Sequence, residues 1–131
     1  MLFDTHLHLI YPNKIDYPWL SEVPKLNKPY KYEEYEIIAN RLGIDACFHM
    51  EVDVSESDIK NETVMLESLS SQPSSKIKGI ISACRPEQQG FDDFLNWASQ
   101  NTLIKGFRRV LHVVSDDLSQ NSLFRENINL L

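Results

Sequence analysis

The sequence predicts an α/β fold in which βα units lay down a parallel sheet. Three observations predict it. Short apolar runs begin near positions 2, 44, 77 and 103, segments of helical periodicity separate them, and the later spacing is close to the ~30 residues of a βα repeat. A closed (β/α)8 barrel needs eight such units and about 250 residues. This chain has 131 residues and four units, so the expected architecture is a half-barrel, one partial domain over residues 1–131.

Each element has its own reason. Leu2 to Leu9 is the first strand, followed by a long aromatic and proline-containing loop from Ile10 to Tyr30. Tyr32, Tyr35, Ile38 and Leu42 recur at helical spacing as the inward side of the first helix, with Gly43 as its C-cap. Ile44 to Val52 is the second strand. Ser55 and Asp58 read as a capping box for a second helix with Ile59, Leu66 and Leu69 inward, ended by Gln72-Pro73-Ser74-Ser75. Ile77 to Cys84 is the third strand. Phe91 to Gln100 is a third helix, with Phe91, Phe94, Leu95 and Ala98 inward. Leu103 to Leu111 or His112 is the fourth strand, and a fourth helix opens near Asn121.

Composition narrows the function. A net charge of −6 argues against nucleic acid, because phosphate binding needs a basic surface. No run of about 18 apolar residues is present to span a membrane, and no basic region leads into an apolar stretch at the start. The expectation is a cytoplasmic protein acting on a small molecule. Cys47 and Cys84 fall inside predicted strands and read as buried free thiols rather than a disulfide.

The chemistry concentrates in Phe3-Asp4-Thr5-His6-Leu7-His8-Leu9. Strand side chains alternate between faces, so Asp4, His6 and His8 are expected on one face and Phe3, Thr5, Leu7 and Leu9 on the other. The second strand repeats the plan, with Asp45, Cys47, His49 and Glu51 toward the barrel interior and Ala46, Phe48, Met50 and Val52 toward helices. The fourth places Gly106, Arg108, Val110 and His112 opposite Phe107, Arg109 and Leu111. Sites in such folds lie at the C-terminal ends of the strands.

His6 and His8 are the candidate catalytic pair, and possible ligands of a divalent metal such as zinc, with Glu51 or His49 as conceivable companions. Direct binding of substrate oxygens without metal is equally open. Arg108, Arg109, His112 and Glu51 are candidate substrate contacts, since guanidinium forks suit an anionic or carbonyl-bearing compound. The competing role for either arginine is a salt bridge to a helix carboxylate. His49 reads better as a satisfied strand histidine. Asp16, Tyr17 and Trp19 could close over a ligand, but Tyr17-Pro18-Trp19-Leu20 reads better as a small satellite core pinning the loop.

Taken together, Phe3–Leu9, Tyr17-Pro18-Trp19-Leu20 and Ile104-Lys105-Gly106-Phe107-Arg108-Arg109-Val110-Leu111 resemble the amidohydrolase superfamily. The likeness is to the amidohydrolase-related branch that includes sugar lactonases and pyrone-dicarboxylate lactone hydrolases. It covers essentially the whole chain. It implies a (β/α)8 barrel that hydrolyses lactones or related carbonyl compounds, with His6 and His8 binding a metal or polarising substrate and Arg108, together with Arg109, contacting it. The family's further histidine and its general-base aspartate, from later strands, have no counterpart here. The expectation is therefore an N-terminal half, weakly active or inactive alone, that meets a missing C-terminal half or pairs with itself. A non-catalytic homodimerising module is the alternative. A nucleotide-binding domain is disfavoured, because only four glycines leave no phosphate loop.

Overall fold

The computed structural model describes residues 1–131. Four parallel strands, β1 (Leu2–Leu7), β2 (Ile44–Met50), β3 (Ile77–Ala83) and β4 (Ile104–Arg108), form one sheet in the order β1-β2-β3-β4. Helices α1 (Tyr32–Leu42), α2 (Ile59–Ser70) and α3 (Phe91–Ser99) make the crossovers, and α4 (Ser122–Ile128) follows β4. Right-handed crossovers in an order that never reverses stack every helix on one face. The opposite face is the inner wall of an open half-barrel. The α/β half-barrel expected from the sequence is the fold observed.

The core lies between sheet and helices. Leu66 and Cys47 are fully enclosed there, with Leu9, Ile77, Ile80 and Ile59 around them. Tyr35 on α1 donates its hydroxyl to Asp4 on β1 at 3.1 Å. Thr63 on α2 meets Ser82 on β3 at 3.5 Å, and Phe94 on α3 packs edge-on against Phe107 on β4.

Those contacts correct the expected faces. Asp4 and Cys47 lie on the helix side, against Tyr35, and Leu7 pairs in register with the enclosed His49. Phe3 and Phe48 meet ring to ring on the inner wall instead. In β1 the register slips between Asp4 and Leu7, which resets the alternation within the strand. In β2 the assignment is inverted, because a parallel barrel packs apolar side chains on both faces and hydrophobicity does not say which face is inside.

Other elements differ locally. Strands β1 and β4 stop at Leu7 and Arg108, short of Leu9 and Leu111. On α1 the buried positions are Tyr32 and Ala39, whereas Ile38 and Leu42 are 55% and 64% exposed. Gly43 caps that helix in the left-handed region, φ 70°. The Ser55–Asp58 capping box does not form. Ser55 precedes a short 3-10 turn, and its hydroxyl points at the Asp58 carboxylate at 3.4 Å, while Asp58 accepts from the Asp16 N–H and the Asn61 amide. In α2, Ile59, Leu66 and Leu69 are buried as expected, and in α3 Phe91 and Ala98 are buried with Phe94 and Leu95 half-buried. Both cysteines are buried and unpaired.

Gly79 is where β2, β3 and β4 approach most tightly on the inner wall. A Cβ there would sit 2.6 Å from both the Phe48 ring and the Lys105 stem. Gly79→Ala is expected to cost about 1–3 kcal/mol by overpacking, read as a lower urea midpoint. An unchanged midpoint would show that Phe48 and Lys105 swing aside freely.

Candidate functional site

At the C-terminal end of the sheet a cavity of about 560 Å3 opens, with His8, Trp19, Tyr30, Asp53, Arg108 and His112 among its walls. Strand ends and loops build it. β1 delivers His8, β4 delivers Arg108, and the segment after β4 continues the same side with buried Val110 and exposed His112. The expected grouping of Arg108, Val110 and His112 therefore holds although regular pairing ends at Arg108. Val23, Leu26 and Val113 make much of the remaining lining apolar.

His6 and His8 come together, Nε2 to Nε2 at 3.1 Å, with rings edge to face. His8 Nδ1 lies 2.9 Å from the Met50 carbonyl. A carbonyl only accepts, so Nδ1 carries the proton and Nε2 presents a lone pair. Crowding around the ring holds the His8 pKa below the ordinary value; the Met50 bond opposes this, while His6 and Arg108 add to it. His8 is thus a neutral imidazole at pH 7. His6 adjoins it without lining the cavity.

Arg108 is fixed from below. Its Nε donates to Glu51 Oε1, and its NH2 group donates to the Glu51 carbonyl at 2.8 Å. Glu51 is fully buried, and its second carboxylate oxygen accepts the Asp53 N–H at 2.8 Å. Both oxygens are engaged, so Glu51 orients the arginine and does not reach a ligand as expected. One face of the guanidinium stays open toward the cavity.

Arg109 does not enter the site. It donates from Nε and NH2 to Glu87, the ion-pair role weighed against substrate binding. His49 is also structural. It is fully buried and its Nε2 accepts the Leu9 N–H at 3.2 Å. Burial, with His8 as a lesser cause, drives its pKa down to about 3.

The pairing of Nε2 atoms suits two corners of a metal coordination sphere, in which bonds of about 2.0–2.1 Å set neighbouring ligands about 3 Å apart. The Met50 bond supplies the outer contact that orients a ligating imidazole. A third donor is not at hand, because His49 and Glu51 are committed elsewhere. No group of three or more His, Cys, Asp and Glu side chains has metal-holding geometry.

Residues of the loop after β1 and the turn after β2 complete the walls. Trp19 lies in the 3-10 turn Pro18–Glu22 and donates its indole N–H to the Val52 carbonyl at 2.8 Å. Tyr17 and Leu20 beside it are buried, so this cluster is both the satellite core expected and a wall of the cavity. Tyr30 closes the loop by pairing with Ile10. Asp53 takes a left-handed conformation, φ 49°, that brings its N–H to Glu51 and its carboxylate within 3.6 Å of Arg85. No spacing rule marks Tyr30 and Asp53; only the fold brings them to the cavity.

No family model and no curated protein matches the sequence. Solved structures do. An amidohydrolase from Burkholderia multivorans with bound zinc superposes with a TM-score of 0.79 at 17% identity, over 100% of this chain and 45% of that one. A second crystal form, with bound HEPES, gives the same values. Amidohydrolase 2 from Bifidobacterium longum subsp. infantis gives 0.67 at 20% identity, over 98% of this chain and 46% of that one. The chain spans less than half the length of these structures, and no helix in it is long and apolar enough to cross a membrane. The fold is that of half an amidohydrolase barrel.

Proposed function

We propose that this chain forms the N-terminal half of the active site of an amidohydrolase-related hydrolase acting on a small anionic lactone or similar cyclic ester. The observation that carries the reading is the convergence of the His6–His8 pair and the Glu51-anchored Arg108 at the carboxyl ends of β1 and β4. Arg108 offers its open face to a substrate carboxylate. The His8 Nε2 lone pair suits a metal ion rather than a carbonyl oxygen, and the apolar walls with Trp19 exclude water from a ring. His6 and His8 would supply two donors to a divalent metal, which when bound acts as a Lewis acid toward the carbonyl. The general base and the third ligand belong to the complementary half, so turnover by this chain alone is expected to be weak or absent; losing such a base costs about 10²–10⁴-fold.

Binding tests the reading without requiring turnover. In an NMR titration, 2-pyrone-4,6-dicarboxylate is expected to shift the Trp19 indole and His8 ring signals. Arg108→Lys keeps the charge near Glu51 but lacks the planar fork, and is expected to weaken binding about tenfold. Equal affinity in the variant, or shifts confined to other surfaces, would remove the basis for the proposal. Lactone turnover by the 131-residue chain that vanishes in His6→Ala would show that the site needs no second half.

A further inference from the structure

The cavity at the strand ends is divided by polarity. Its polar groups gather at the base, where His8 bonds to the Met50 carbonyl, Arg108 to the Glu51 carboxylate, and the Asp53 N–H to that same carboxylate. The remaining wall comes mostly from two loops. The segment after β1 contributes Trp19, Val23, Leu26 and Tyr30, and the segment after β4 contributes Val110 and Val113. These side chains all belong to this half of the barrel, so the wall stays apolar whatever closes the far side. Hydroxyl groups of a ligand lying along it lose water without gaining a partner. Charge is equally one-sided. Arg108 is the only lysine or arginine in the lining, its charge already meets Glu51, and the Asp53 and Glu22 carboxylates share the cavity. One ligand carboxylate finds a partner here, and a second meets like charge.

We infer that the ligand of this cavity is an amphipathic cyclic ester with a single carboxylate and an aryl or alkyl arm that lies between the two loops. The inference rests on the proposed lactone site and names its substrate class. The carboxylate takes the open face of Arg108, and the arm runs along Trp19 toward Leu26 and Val113. Trp19 gives that arm a fixed surface, because its indole N–H is spent on the Val52 carbonyl at 2.8 Å. The volume of about 560 Å3 falls within the range of about 300–1,000 Å3 typical of small-molecule sites, which combine an apolar lining with a few convergent polar groups. Each methylene of the arm that is fully buried there strengthens binding about fourfold. A polyhydroxylated ring or a dianion gains nothing from this wall.

Calorimetric titration of the whole chain with three pyrone carboxylates tests the inference. 2-Pyrone-5-carboxylate has one charge and no arm, 2-pyrone-4,6-dicarboxylate has two charges and no arm, and coumarin-3-carboxylate has one charge and a benzene ring fused to the lactone. Coumarin-3-carboxylate is expected to bind about tenfold more tightly than either of the others. Leu26→Ser and Val113→Ser, at positions 42% and 58% exposed and so tolerant of the change, are each expected to weaken coumarin-3-carboxylate about fivefold and 2-pyrone-5-carboxylate by no more than about twofold. Tightest binding by the dicarboxylate, or equal losses for both monocarboxylates in the two variants, overturns the inference and leaves the lactone site standing. Binding by none of the three removes the lactone site and this inference with it.

Discussion

Glu51→Ala is expected to be among the most destabilising single substitutions in this chain, although Glu51 touches no core hydrocarbon cluster of its own. Its carboxylate accepts from Arg108 on one oxygen and from the Asp53 N–H on the other. Truncation leaves a guanidinium and a backbone donor without their partners. Breaking a fully buried pair costs about 3–5 kcal/mol, but the Arg108 side chain is 33% exposed. Solvent screening reduces the expected loss to about 2–3 kcal/mol. Urea unfolding would read it, and the double variant with Arg108→Ala should recover part of the loss because the orphaned charge goes too. A loss below about 1 kcal/mol would mean that water already serves Arg108 in the native state, contrary to the anchoring described.

The second large effect is a dependence of stability on pH set by Glu62. This carboxyl lies on α2, 1% exposed, with one oxygen lacking any partner. Burial, and then the nearby Glu51 charge, push its pKa up to about 8, from the ordinary 4.5. Below 4.5 both folded and unfolded chains hold the proton. Between 4.5 and about 8 only the folded chain does, so stability falls as pH rises through this window and levels off above it. The slope is bounded by about 1.4 kcal/mol per pH unit. His49 acts in the opposite sense. Its folded pKa of about 3 lies below 6.5, so the stability it contributes is present above 6.5 and lost as pH falls toward 3. The limbs overlap between 4.5 and 6.5, where their slopes oppose, and greatest stability is expected there. Glu62→Gln should remove the alkaline limb, giving equal urea midpoints at pH 6.5 and 8.5, while the parent chain loses stability over that interval. A parent midpoint already flat from 6.5 to 8.5 would show Glu62 ionised in the fold.

The path of the chain was legible because βα units announce themselves twice, by apolar runs and by the helical periods between them. Gly43 and the capped end of α1 are one case, and Phe91 with Ala98 on α3 another. The histidine pair was legible because its spacing survives the slip in β1. What escaped was orientation. Polarity alone points Cys47 and His49 to the interior, yet a small thiol and a neutral imidazole pack against helices as readily as aliphatic groups do. The helical period alone turns Ile38 and Leu42 inward, but they face outward because Tyr32 and Ala39 take the buried stripe. Arg108 and Arg109 are adjacent in sequence, and only folding gives one to Glu51 and the other to Glu87. Asp53 and Tyr30 reach the cavity through backbone geometry that no residue pattern encodes.

The loop that bears Trp19 is tied down at several points. Its indole donates to Val52, the backbone of Asp16 exchanges bonds with Asp58 and Ser55, and Ile10 pairs with Tyr30. A wall secured in this way keeps its shape between visits, so an arriving molecule meets a receptacle already set and need not spend its affinity on stilling a moving segment. Association should accordingly follow a single diffusive step, with the exchange of the Trp19 indole proton slow before any guest is present.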